Sequence, residues 1–120
     1  MLEGRLLLIN PWQTYEKKLE SEYQSYIPYG LACIAAIGES ESFITRIVDY
    51  LEDETTTEIG DKVRYGKTPA EVEKIIKEFK PDIVGISATF SMFEKDATEV
   101  ANMVKKIDSS IIVILGGVTA

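Results

Sequence analysis

The stretch Pro81-Asp-Ile-Val-Gly-Ile-Ser-Ala-Thr-Phe90 constrains the fold more than any other part of the chain. Ile83, Val84 and Ile86 form a short apolar run around Gly85, with a proline before it and small polar residues after it. A run this short, without alternation, reads as a strand buried on both faces. Such a strand needs helices above and below it, and so implies a parallel sheet. Gly85 lets a neighbour approach the backbone closely. Ser87 and Thr89 follow at the carboxyl end, the end at which open parallel sheets bind ligands.

Three more segments read as strands of the same sheet: Arg5-Leu-Leu-Leu-Ile-Asn10, Phe43-Ile-Thr-Arg-Ile-Val-Asp49 and Ile111-Ile-Val-Ile-Leu115. Helical segments separate them. Ile27 to Ile37 carries Pro28 in its first turn, aligns Leu31, Ile34 and Ala35 on one face, and meets a terminating Gly38. The small residues Gly30, Ala32, Ala35 and Ala36 let it lie close to the sheet, and Cys33 reads as a small core residue. Thr68-Pro-Ala-Glu71 is a helix start, with Thr68 as cap, Pro69 at the first position and Glu71 completing a capping box. Val72, Ile75, Ile76 and Phe79 then form one apolar face, and Lys77 and Lys80 suit the carboxyl end. Phe93, Ala97, Val100, Ala101, Val104 and Ile107 mark a third helix, after which Asp108-Ser-Ser110 turns the chain. Strand and helix alternating in this way give an α/β fold with a parallel sheet and right-handed crossovers. Neither a fifth strand nor a closing helix follows before Ala120. Residues 1–120 therefore read as one domain, incomplete at its carboxyl-terminal end, whose open sheet edge invites a homodimer.

Two connections are polar. Gln13 to Ser25 has no clean period and reads as a long loop, or a loop with a helical turn, of the length that is usually functional or mobile. Trp12, just before it, either covers a flat ligand or plugs the end of the core. Leu51 to Arg64, with Glu52, Asp53, Glu54 and Glu58, reads as an acidic, mobile connection. Asp49 is either a ribose ligand or a solvated strand end. Gly116-Gly117 permits close backbone approach, either as a plain turn or as the seat of a flat or phosphate-bearing group.

Composition removes several function classes. A formal charge of -7 argues against nonspecific nucleic-acid or anionic-membrane binding. No apolar run approaches the roughly 20 residues of a membrane span, and Met1 to Asn10 is too short for a signal peptide. The single Cys33 excludes an internal disulfide, fits a reducing cytoplasmic setting, and cannot by itself build a zinc or iron–sulfur site. With no histidine, the commonest general base and zinc ligand are missing. No catalytic or metal-ligating residue is assigned.

Four motifs now stand in order. Asn10-Pro-Trp12 follows the first strand, and Pro28-Tyr-Gly-Leu-Ala-Cys-Ile-Ala-Ala36 opens the first helix. Pro81-Asp-Ile-Val-Gly-Ile-Ser-Ala-Thr89 is followed, past one helix, by Val113-Ile-Leu-Gly-Gly-Val-Thr-Ala120. Together they resemble the amino-terminal cobalamin-binding domain of cobalamin-dependent radical S-adenosylmethionine enzymes. That group includes methyltransferases and the Mg-protoporphyrin monomethyl ester cyclase-like Fe–S oxidoreductases. The resemblance covers Leu6 to Ala120. It implies a Rossmann-like three-layer parallel sheet with helices on both faces, truncated here after the fourth strand. It also implies a corrinoid bound by its lower face. Ser87, Ala88 and Thr89, with Gly116, Gly117, Val118 and Thr119, would line the groove for the dimethylbenzimidazole tail. The loop at Asn10 to Thr14, with Asn10, Pro11 and Trp12 as its binding residues, would face the lower side of the cobalt. In mutase and methionine synthase relatives that loop supplies a histidine. The lack of one here implies a corrinoid held with its own base displaced and no imidazole in its place.

The same resemblance implies a carboxyl-terminal radical domain beyond Ala120, with a CxxxCxxC run, a 4Fe–4S cluster and S-adenosylmethionine. This chain's part is then cofactor docking and not bond making. The alternative is a stand-alone small-molecule binding or sensor module of the same fold, without catalysis. A phosphoacceptor domain would want an Asp where Ser87 stands, and a dinucleotide oxidoreductase would want G-x-G-x-x-G after the first strand. A flavin-mononucleotide domain would want a hydroxyl-rich loop where Gln13-Thr14 stands. Of Ser87 and Thr89, one is expected in the groove while the other caps the next helix.

Overall fold

The structure, a computed structural model, describes residues 4–18, 29–49, 56–88 and 94–116. In chain order the elements are β1 (Arg5–Asn10), β2 (Gln13–Glu16), α1 (Tyr29–Ser40), β3 (Ile44–Asp49), β4 (Thr56–Ile59), β5 (Lys62–Tyr65), α2 (Pro69–Phe79), β6 (Ile83–Ser87), α3 (Glu94–Ile107) and β7 (Ile112–Gly116). Four of the strands form a parallel sheet in the order β3-β1-β6-β7. The helices lie on both faces, so the expected Rossmann-like α/β architecture is the one observed.

Alternation along β1 sorts the two faces. Leu7 and Ile9 point to one side, where they join Val84 and Ile86 of β6, Val72 and Ile76 of α2, and Val100 and Val104 of α3 in the main core. Each of these side chains, fully buried, contributes about 1.5–3 kcal/mol. Leu6 and Leu8 point to the other side, against Leu31 and Ala35 of α1. The start of α2 is as the sequence dictates. Thr68 accepts from the Glu71 N–H, the Glu71 carboxylate accepts from the Thr68 N–H, and Pro69 opens the helix. Such a cap is worth about 1 kcal/mol.

The first helix differs from expectation. It buries only the stripe Leu31, Ala35 and Gly38, while Ile34, Ile37 and Cys33 are exposed. Cys33 is therefore not a core residue among the described residues. Gly38 does not end the helix. A Cβ there would lie 3.0 Å from Leu6 Cδ2 and 3.1 Å from Thr45 Oγ1, so the glycine serves close packing on the sheet. The helix runs two residues further, to Ser40, and the chain then turns at Ser42 (φ 69), with the Phe43 N–H returning to the Gly38 carbonyl. Pro28 lies outside the described residues.

Both polar connections contain structure that their composition concealed. β2, β4 and β5 form a separate antiparallel sheet in the order β2-β5-β4. Gln13–Glu16 is thus a strand and not a loop; residues 19–25 lie outside the described residues. Within the supposed mobile connection, Thr56–Ile59 and Lys62–Tyr65 make a hairpin closed by Gly60-Asp61, with Gly60 at φ +62. Tyr15, Gln13 and Val63 are buried on one face of this wing. The Tyr15 hydroxyl donates to Gln13 Oε1, and the Tyr15 and Tyr65 rings meet edge to face.

The fourth main-sheet strand is not buried on both faces. Ile112 and Ile114 are 57% and 54% exposed, because α1 packs chiefly on β1 and β3, away from β7. By register Ile112 aligns with Ile83 and Ile114 with Gly85, on the same face as Leu6 and Leu8. The central strand is accordingly dry on the α2–α3 side, where Val84 and Ile86 sit, and only half-covered on the other.

Candidate functional site

The carboxyl ends of the parallel strands bring Asp49, Asn10, Ser87 and Gly116 into one row, in sheet order. From β1 the chain crosses through α1 to β3 on one side, while β6 and β7 lie on the other. The strand order therefore reverses between β1 and β6. A crevice opens at such a switch point, outside the carboxyl ends of the strands. Asn10 and Ser87 flank it.

Asn10 is fixed in place, its Nδ2 donating to Asp49 Oδ1 at 3.0 Å. Asp49 is thus half-buried and engaged across the sheet edge, and not a simple solvated strand end. The next two residues turn inward. Pro11 is buried, and Trp12 is 1% exposed within the main core. Of the two roles open to Trp12, the structure shows the plug and not the cover. The Arg64 guanidinium lies over its ring at 5.2 Å, and among the described residues neither Trp12 Nε1 nor Arg64 Nε has a hydrogen-bond partner.

On the other flank, Ser87 shares its face with Gly85 and is half-buried. Ala88 is a core residue, its N–H donating to the Gly116 carbonyl. Gly116 is exposed, and a Cβ on it would meet nothing within 4 Å. At Gly85 a Cβ would come within 2.8 Å of Leu8 Cδ2, so the glycine keeps that face low. Of the ten sequence-predicted site residues, Asn10, Ser87 and Gly116 line the edge, while Pro11, Trp12 and Ala88 support it from beneath. Thr89, Gly117, Val118 and Thr119 lie outside the described residues.

Sequence reasoning missed a third anchor. Asp96, in the first turn of α3, is 5% exposed. Its Oδ2 accepts from the Thr14 N–H at 3.0 Å and its Oδ1 from the Thr14 hydroxyl at 2.7 Å. Thr14 pairs in register with Arg64, which reaches Glu99 of the same helix at 4.0 Å. The wing is therefore fastened to α3 beside the strand ends. A signal existed: Asp96 stands four residues before Val100, on the stripe that helical spacing turns inward.

The row of strand ends, the switch point and the low apolar face suit a flat ligand with a polar margin. A model of the B12 binding domain family matches residues 19–120. The chain belongs to the B12 binding domain family. Curated relatives agree. It is 37% identical over 90 residues to the uncharacterized methyltransferase PH0819 of Pyrococcus horikoshii, a match covering 75% of this chain and 17% of that protein. It is 27% identical over 121 residues to the cytidylyl-2-hydroxyethylphosphonate methyltransferase of Streptomyces wedmorensis, covering 97% of this chain and 22% of that one. The B12 binding domain thus spans about a fifth of the length of the curated relatives it matches. No solved structure matches it.

The residues present fit the cobalamin that membership of this family implies. Beside α1 the sheet offers exposed apolar carbons at Ile112 and Ile114 and open space at Gly116, on the face that a planar aromatic tail can cover. Ser87 stands at the carboxyl end of that face with a hydroxyl for polar atoms. Among the described residues no three His, Cys, Asp or Glu side chains form a metal-holding group, and no helix is long and apolar enough to cross a membrane.

Proposed function

We propose that this B12 binding domain docks cobalamin for a larger radical S-adenosylmethionine enzyme of the methyltransferase or cyclase-like group. One observation carries the reading. In a chain with no histidine, the switch point at Asn10 and Ser87 opens beside an uncovered apolar face that ends at Gly116. When bound, cobalamin supplies a cobalt that accepts and passes on a one-carbon group. The chain's own residues bind and orient. Ile112 and Ile114 offer apolar contact to the dimethylbenzimidazole tail, Ser87 offers its hydroxyl to the tail's polar atoms, and Gly116 leaves room for the tail's plane. Asn10, held by Asp49, and the loop through Pro11 and Trp12 stand under the corrin with no imidazole to offer. Cobalamin docked here would have no protein imidazole to take the place of its own base. Reduction and radical chemistry belong to a further domain with three cluster cysteines, a 4Fe–4S cluster and S-adenosylmethionine. The two curated relatives, both named as methyltransferases and four to six times the matched length, support a methyltransferase in which this domain is one part.

The test is a titration of hydroxocobalamin followed in the visible spectrum. The expected result is a base-off spectrum with the natural chain and much weaker binding by Gly116→Phe. The bulk of Gly116→Phe enters space that is open in the fold, so thermal unfolding is expected to change little. A well-folded protein that leaves the spectrum unchanged would sink the corrinoid reading.

A further inference from the structure

We propose that Asp96 is the positioning residue for the loop that faces the cofactor; this rests on the corrinoid reading above. The loop Asn10–Thr14 leaves β1 at the switch point and is tied at both ends. Asn10 is tied to Asp49 within the sheet edge. Thr14 is tied to Asp96, and this tie is the stronger in form: a backbone N–H and a hydroxyl both donate to one buried carboxylate. Hydrogen bonds to such a group exceed neutral ones in strength. Between the ties, Pro11 and Trp12 are packed down, and Trp12 gains no hydrogen bond of its own to fix its depth. The packing of Pro11 and Trp12 seats the loop on the core, and the polar tie that fixes its far end comes from α3, through Asp96.

Asp96 meets Thr14 and so acts on the ligand only through that loop. The charged groups around it are Arg64 of β5, which spans Trp12 and Glu99, and Glu94, Lys95 and Glu99 on α3 itself. With Asp96 in place the loop is preorganised before any ligand arrives, and without it part of the binding free energy goes into ordering Asn10–Thr14.

The experiment uses the purified protein, hydroxocobalamin as probe, and the variants Asp96→Ala, Asp96→Asn, Thr14→Val and Thr14→Ser. Affinity is read from the visible spectrum, loop order from hydrogen exchange at Thr14, Tyr15 and Glu16, and folding from the thermal midpoint. Asp96→Ala and Thr14→Val are expected to weaken binding roughly tenfold, as loss of an outer support does at other cofactor sites, and to speed exchange at Thr14. Thr14→Ser keeps both donors and is expected to restore affinity. A role confined to stability would lower the midpoint while leaving the affinity of the folded protein intact. If Asp96→Ala does not fold, Thr14→Val and Asp96→Asn decide. Natural protein that binds while both of those bind equally well overturns this inference alone. Natural protein that folds and does not bind overturns the corrinoid reading, and the inference with it.

Discussion

The indole of Trp12 carries a buried N–H without an acceptor, and this makes its substitutions unequal. Its ring fills the end of the main core beneath the strand ends, so removing it opens a cavity. Trp12→Ala is expected to cost about 3–5 kcal/mol. Trp12→Phe keeps most of the ring and discards a donor whose desolvation costs about 1–3 kcal/mol when left unpaired. It is expected to cost less than about 2 kcal/mol. Denaturant unfolding of both variants checks this; equal costs would mean that the N–H is not an unpaired burden. The position of Trp12 after β1 was legible in the sequence, but its role was not, because an aromatic residue suits both a cover and a plug. Asp96 was hidden for the opposite reason. It reads as an ordinary first-turn acid, and its partner Thr14 is 82 residues away.

Elements held by near neighbours in the chain were the readable ones. The capping box at Thr68, the apolar stripe of α2 and the repeat along α3 are all local patterns, and all three appear in the structure. The wing was not readable in the same way, since β2 pairs with β5, from a distant part of the chain. Its hairpin did carry a local sign in Gly60-Asp61 between two short runs, masked by the acidic composition around it. The segment Ile111 to Leu115 reads as a buried strand, and β7 is a strand but largely exposed: a run of apolar residues does not say which neighbours will cover it. The turn between α3 and β7 yields a pH prediction. Asp108 sits below the usual carboxylate range, chiefly because the Ser110 hydroxyl donates to it, then because the Ser110 N–H does, with Lys105 adding attraction. A carboxylate lowered by folding stabilises the fold above its unfolded value, and that contribution is lost as pH falls through the lowered one. Ser110→Ala is expected to move the Asp108 titration up toward the ordinary value in an NMR pH series. An unmoved titration would show that Ser110 is not the cause.

In the molecule as a whole, the two faces of the sheet are unequally finished. The α2–α3 side is covered except at Leu115 of the edge strand, while on the other side Ile112 and Ile114 of that strand leave apolar carbon in water. Such an edge is an association liability. Light scattering of the natural protein is expected to rise with concentration, and the double variant Ile112→Lys with Ile114→Lys to stay monomeric with unchanged circular dichroism. Scattering that is the same for both would place the association elsewhere. The tie between Thr14 and Asp96 also gives the protein a history. Its partners are 82 residues apart, and at about 5–20 residues per second the ribosome needs roughly 4–16 seconds to travel from one to the other. During that interval β1 and β3 already exist and can pair, while Thr14 has no carboxylate to hold it. A newborn chain can thus pair β1 with β3 before Thr14 is fastened, while β7, which follows Asp96 in the chain, joins the sheet only afterwards.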